Sequence, residues 1–534
     1  MKKILCLLFS VIIVLSLTSC SKDDDSPENQ IINYNINSEP VTLDPQIADD
    51  KAARIIIMNI FEGLCRLDQN DCAVPGAAES WSIDKTRTEY TFRLRKDALW
   101  SDGSPLTADD FVYGFERSLT KSTGSETASL LYCIKNAEAI HKGKKNISEL
   151  GVKAVNDRTL MIQLEYENED FLTLLTEPPA MPCKKEYFEK SGGQYGRDDD
   201  KILSNGAFIV KESGWEHNEY IKLRKNEHYV GKDVPIPAGV DITIGQQPQD
   251  MVQAISDGEL DCGEISEKEI VSAKGNQFFI SEFADTVWGI SFNTMDEAFQ
   301  NKDLRISMLA SLDRNFILND IPENSIKADC IIPDFLYIGG QSYRNISDNQ
   351  RTYISFSDDA KKNFELALTA SETEDVPKIN IICDNDSETQ NVVNNIIESW
   401  NTLTTGYVNK KPMSLSLLYE RIESSDYVAA VVPLTVNGRN PVNLLELFES
   451  NSSYNPSSLH DKTYDSLIQE IKNQSSKTSW KIIEKAEKYL SDNGIFYPLY
   501  VKSRFYASAP NVSGVIFHPY GSEVDFFYAS KKTQ

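Results

Sequence analysis

Residues 77–118 read AAESWSIDKTRTEYTFRLRKDALWSDGSPLTADDFVYGFERS, and their pattern decides the fold class. Residues 89–95 alternate polar and apolar side chains, with Tyr90, Phe92 and Leu94 on one face, which predicts a half-buried strand. Residues 101–105, SDGSP, carry turn chemistry, because glycine tolerates positive φ and proline fixes its own. Thr107 stands where an N-cap belongs, and Asp109 and Asp110 put negative charge in the first turn of a helix. Phe111, Phe115 and Leu119 then recur at helical spacing as a core-facing stripe. The block reads as an αβ packing unit in which nothing performs chemistry.

Order and identity add to the pattern. AESW, a strand ending in LR, and then LWSDGSPLTADDF resemble the signature of the bacterial extracellular solute-binding proteins, family 5, of peptide ABC transporters. This is the oligopeptide-, dipeptide- and nickel-binding family, and the resemblance is to its oligopeptide-binding type. Further segments are similar to family elements. They include Glu39 to Pro45 (EPVTLDP), FEGL at 61–64, the strand pair 205–210 and 220–226 with Tyr229 after it, and QAISDGELDCGEI at 253–265. The helix at 303–314 and the segment around Tyr464-Asp465 follow the family too, whereas residues 340–380 match poorly.

The resemblance implies an α/β fold of the periplasmic-binding-protein type (type II, three-lobed, a Venus flytrap) with mixed sheets. By the same analogy residues 31–65, 201–288 and 500–534 form lobe I, 66–200 lobe II and 289–499 lobe III.

Composition agrees with an exported, soluble body. With 534 residues, 40% apolar and 10% aromatic, the chain can fill sizeable cores. A formal charge of −26 argues against a nucleic-acid partner, since phosphate would be repelled. Met1-Lys2-Lys3 and the apolar run 4–17 read as a secretory signal over residues 1–19, shorter than the ~20 residues a bilayer span needs. Leu17-Thr18-Ser19-Cys20 resembles a lipobox, which implies lipidation of Cys20. Residues 20–30 are then a polar tether. The expected location is the outer face of the cell membrane, anchored by lipid, with the body in the extracellular or periplasmic space.

Of nine cysteines, Cys6 leaves with the signal and Cys20 is modified. The remaining seven cannot all pair within one chain. Cys65 and Cys72 flank a plausible hairpin and are expected to lie opposite each other, and whether they bond is left open. No CxxC spacing occurs, so no zinc site is expected. Asp198-Asp199-Asp200 lacks the glycine and spaced ligands of a calcium loop and reads as solvated charge, within an exposed connection at 191–200. Neither a Walker A sequence, nor HExxH, nor G-x-S-x-G is present, which disfavours an enzyme, and no cofactor is expected.

What the family needs instead is a closable cleft whose walls hold a peptide by its main chain, as an added strand would be held. Its two wall segments correspond to Glu39-Pro40-Val41 and Pro433-Leu434-Thr435, each of which can equally be ordinary sheet edge. The family motif W.aDY.(D/E)P places Leu434 at its aromatic position and Asn437 at the acidic position that meets the ligand's ammonium. Either another carboxylate substitutes or the ligand is not a free-amine peptide. Arg439 adds a cation nearby. Val287-Trp288-Gly289 is the hinge candidate, with Trp288 as plain core the equal alternative.

The reading is a monomeric lipoprotein that captures an oligopeptide and delivers it to ABC permease subunits. Alternatives are a non-peptide cargo (an opine, a glycan-derived solute or a metal chelate) and a peptide-signal receptor. Ligand identity, length and affinity are not written in the sequence.

Overall fold

The computed structural model describes residues 30–231, 233–245, 248–338, 341–349, 351–370, 378–404, 407–435, 438, 440–452, 454–472, 476–519 and 524–532. The expected signal, Cys20, Asn437 and Arg439 lie outside them.

The 77–118 block folds as its pattern dictates. Strand Glu89–Leu94 pairs antiparallel with Ala78–Ile83 and with Thr159–Gln163, and Val152–Asn156 completes a four-stranded sheet. Tyr90, Phe92 and Leu94 share one core with Phe111, Phe115 and Leu119 from helix Ala108–Leu119. The N–H and Oγ1 of Thr107 donate to Asp110 Oδ2 at 2.8 and 3.0 Å, which ties off the first turn of that helix.

Arg117, near the other end of the helix, is buried and grips Asp44 through two bonds of 3.0 and 2.6 Å. Its guanidinium also lies 3.6 Å over the Phe188 ring. The TLDP segment is thereby fastened to the helix. Residues 191–200, expected to be exposed, are not uniformly so. Tyr195 is buried, and Leu43 N–H donates to Gly196 O at 2.7 Å. Gly196 has φ +73°, and a Cβ there would stand 2.3 Å from Asp44 N, so the close approach requires glycine.

A second sheet of four strands runs in the order Ile31–Ile36, Gly239–Ile244, Tyr220–Lys225, Phe208–Glu216, its first pair parallel. The third is larger. Strands Phe279–Phe292 and Phe496–Ser508 run antiparallel as the spine of a seven-stranded mixed sheet. Cys262–Ile265 extends it at one end, Ala429–Thr435, Ile379–Asp384 and Val408–Met413 extend it at the other, and the short strand Ile326–Lys327 pairs with Phe496–Ser508 off this path.

Alternation along this sheet feeds two separate cores. Val287, Val432, Leu434 and Phe496 belong to one, and Trp288, Ile290, Phe292, Val431 and Tyr500 to the other. A sheet buried on both faces explains why residues 429–434 read AAVVPL without alternation.

The spine register shifts between Ala284 and Thr286 and again between Trp288 and Gly289. At the second shift the Phe496 ring and Tyr497 O crowd Gly289, where a Cβ would meet them at 2.3 and 2.6 Å. Such irregularities bend and twist a strand pair.

Two local expectations are corrected. The segment expected as one helix over 303–314 divides into Lys302–Ala310 and Arg314–Ile317, because Asp313 caps the second by accepting from Asn315 N–H at 2.9 Å. Cys65 lies opposite Pro75 rather than Cys72. Asp68 Oδ1 accepts from the N–H groups of Asn70 and Cys72, closing a turn that sets Cys72 beside Asp68. Both are free thiols, as are Cys133, Cys183, Cys262, Cys330 and Cys383.

Candidate functional site

A cavity of about 740 Å³ opens beside the spine of the large sheet. The two spine strands contribute Thr286, Trp288, Lys502, Ser503, Arg504 and Phe505. Helix Lys51–Ile60 and residues 264–268 form one wall. Asp384, Asp386, Glu388, Leu415, Tyr419, Pro433 and Thr435 form the other. This second wall has a topological origin. Parallel strands Ile379–Asp384 and Ala429–Thr435 pair only at 381/429 and 382/430, so they part toward their carboxyl ends. Ligand crevices in α/β sheets form at such ends.

Charge lines the cavity unevenly. Lys51 pairs with Glu264 at 3.1 Å, Arg54 with Glu177 at 3.6 Å, and Arg504 with Asp285. Lys502 instead sits within the field of Glu267, Asp384 and Asp386. Burial pushes the Glu267 carboxyl up to about 7; Lys502 opposes the rise, while Glu388, Asp386 and Glu323 add to it. Burial also raises Asp384, with a further push from Asp386. For Asp386 burial is outweighed by the Thr389 N–H and by Lys502, and its carboxyl falls below the usual range. Two buried polar atoms in this lining, Trp288 Nε1 and Glu267 Oε1, have no hydrogen-bond partner among the described residues. Trp288 is only 5% exposed and stacks on Tyr500 at 6.1 Å between ring centroids. Unpaired buried groups are rare in proteins.

Comparison with known proteins fits this architecture. Residues 73–456 match the bacterial extracellular solute-binding proteins, family 5 Middle. The chain belongs to that family. Its relatives include the oligopeptide-binding protein OppA of Bacillus subtilis (strain 168), 27% identical over 505 residues, covering 92% of this chain and 91% of OppA. The dipeptide-binding protein DppE of the same organism is 26% identical over 521 residues, covering 94% and 92%. Among solved structures, the substrate-binding domain of an oligopeptide ABC transporter from Bacillus anthracis str. Ames superposes with a TM-score of 0.77 at 28% identity. It covers 94% of this chain and 99% of that one. The family 5 protein accordingly has the mixed α/β fold of substrate-binding proteins, and its family is one of binders. Among the described residues no helix is long and apolar enough to cross a membrane.

The wall residues expected from the family 5 resemblance fall in three places. Trp288, Pro433 and Thr435 line the cavity. Leu434 alternates away from it and is fully buried in the core beside Val287, its partner across the strand pair. Glu39 turns its carboxylate to the 215–218 hairpin, accepting from Trp215 Nε1, His217 Nδ1 and Asn218 N–H at 2.9, 2.6 and 2.9 Å. Pro40 is buried, and Val41 is 77% exposed with its N–H donated to Asp50 Oδ2 at 3.2 Å.

Sequence reasoning missed Lys502, Glu267 and the Asp384–Glu388 turn. A signal existed for two of them. Lys502 and Arg504 interrupt the long apolar run 495–509, and Asp384-Asn385-Asp386 follows directly on a buried strand. The Asp198–Asp200 carboxylates lie close together, but Gly214 N–H donates to Asp199 at 3.0 Å, Asp199 N–H to Asp198 at 2.9 Å, and Lys201 pairs with Asp200.

Proposed function

We propose that this chain captures a short peptide outside the cell and hands it unchanged to the permease subunits of an ABC transporter. The observation that carries the reading is the 740 Å³ cavity along the spine of the large sheet. Its size falls in the ~300–1,000 Å³ range of small-ligand clefts, large enough for a short peptide and too small for a folded domain. The names of OppA and DppE, relatives matched over nine-tenths of their length, support peptide as the cargo class.

In this reading Trp288, Pro433 and Thr435 contact the ligand, with Leu434 contributing only its main chain. Val41 is exposed and donates its N–H to Asp50, whose neighbour Lys51 lines the cavity, which supports a place for residues 39–41 near the mouth. Lobe I comprises 31–65, 201–288 and 500–534, lobe II 66–200 and lobe III 289–499. Trp288 pairs with Tyr500 beside the second register shift, where two of these boundaries meet. Lobe III closes by bending there. Cys20 carries the lipid that holds the monomer at the outer face of the membrane. The chain catalyses no reaction on its guest.

Mass spectrometry of material released by denaturing the freshly purified protein tests the reading. Intact peptides in stoichiometric amount are expected. An opine, a glycan fragment or a metal chelate in their place overturns the peptide assignment while leaving the binder, and cleaved fragments overturn the binder.

A further inference from the structure

We propose that the cleft selects positive charge: an ammonium or guanidinium of the guest seats among Glu267, Asp384, Asp386 and Glu388, against the aromatic surface of Trp288. The inference rests on the peptide reading above and names what that site prefers.

Three observations carry it. The first is the charge inventory of this end of the cleft. The carboxylates of Glu267, Asp384, Asp386 and Glu388 line it from both walls, and Lys502 is the cation set among them. Lys51, Arg54 and Arg504 are engaged by Glu264, Glu177 and Asp285, so they do not offset these acids. Lys268, on the same turn as Glu267, also lines the cavity but is exposed, so solvent screens its charge. A second cation entering the cluster is attracted by each carboxylate that is ionised and drives the protonated ones to ionise, whereas an anion is repelled by them and drawn only toward Lys502 and the solvated Lys268.

The second observation is independent of charge. Trp288 is 5% exposed, lines the same cavity and has an Nε1–H with no partner among the described residues. Its ring adds an aromatic surface of the kind that attracts cations. Its N–H supplies a donor for a main-chain carbonyl of the same guest. Glu267 Oε1, equally without a partner, supplies the acceptor that an ammonium satisfies.

The third is the cost that like charge and burial place on the cluster. Burial and the neighbouring carboxylates hold Glu267 well above the ordinary range of its side chain. A bound cation reverses that effect and ionises it. Binding therefore releases a proton near neutral pH, since a group poised at about 7 is half protonated there.

The cation can come from the peptide's own terminus or from a lysine or arginine side chain, and four probes separate the two. They are a pentapeptide of alanine with a free amino terminus, its N-acetylated form, an N-acetylated form with a central lysine, and the same with norleucine in place of that lysine. Titration calorimetry at low salt reads each affinity. A preference of about tenfold for the free over the acetylated alanine peptide assigns the subsite to the terminus. The same preference for lysine over norleucine assigns it to a side chain.

Either preference shrinks as salt is raised. In the double variant Glu267→Gln, Glu388→Gln the ratio of the two affinities falls to about one, and in Lys502→Gln it grows. Equal affinity across all four probes, or an unchanged ratio in the double variant, overturns the subsite and leaves peptide capture standing. No binding by any of the four overturns both.

Discussion

Two clusters of charge in this molecule have opposite fates. Around Arg117 every polar group is consumed. Asp44 takes the guanidinium through two oxygens, Gln46 Oε1 accepts from it at 2.6 Å, Cys183 Sγ lies at 3.4 Å and Phe188 stacks beneath. Around Lys502 the carboxylates of Glu267, Asp384, Asp386 and Glu388 line the same cavity without a close ion pair among the described residues, and Glu267 Oε1 and Trp288 Nε1 have no partner among those residues. The first cluster is closed chemistry that holds the 41–45 segment on helix Ala108–Leu119. The second is open chemistry beside a cavity. Saturation of hydrogen bonds, more than charge content, separates structural polarity from functional polarity here.

Breaking each cluster shows the difference, and the largest effect comes from the closed one. Arg117→Ala leaves Asp44 buried without its counter-charge and destabilises the fold by roughly 3–5 kcal/mol, read as a lowered denaturant midpoint. Double replacement of Arg117 and Asp44 by apolar residues recovers much of that loss. A smaller effect belongs to the spine between the clusters. Gly289→Ala drives a methyl toward the Phe496 ring and Tyr497 O, costing about 1–3 kcal/mol in the same assay.

The open cluster yields the smallest change, and one that depends on pH. Glu267 has a folded value near 7, above its unfolded one, so ionising it penalises the folded state. The penalty grows as pH rises from the ordinary carboxylate range and is complete above 7. Because the side chain is partly solvated, screening keeps the effect under about 1 kcal/mol. Glu267→Gln therefore raises the melting temperature by a degree or two at pH 8 and leaves it unchanged at pH 4. An equal shift at both pH values contradicts a Glu267 carboxyl raised by burial.

The closed region was readable from sequence because its information is local. Alternation at Tyr90, Phe92 and Leu94, the cap at Thr107 and the stripe through Phe111 and Phe115 each span only a few residues. The spine strands were visible only in part, as 287–293 and 496–500. Their full lengths depend on partners, since Cys262–Ile265 and Phe279–Phe292 both lie against Phe496–Ser508.

The cleft was harder still. It draws Lys51, Glu267, Asp384, Tyr419, Thr435 and Lys502 from points scattered over 450 residues, with no motif spacing to link them. Resemblance reached Pro433 and Thr435 because strand alternation sets them on the cavity side. It also named Leu434 and Glu39, whose side chains the structure engages elsewhere, Leu434 in the core and Glu39 on the 215–218 hairpin. Family motifs mark backbone positions, and the surrounding packing decides which side chains turn inward.

The central claim is that the open cluster and its cavity hold a peptide and return it whole. Isothermal titration of the purified protein with a mixed pool of short peptides, followed by denaturation and analysis of what is recovered, tests it most directly. The account predicts heat that saturates at one site per chain, with every recovered peptide at its starting mass. No saturable heat, or peptides recovered shortened, contradicts it.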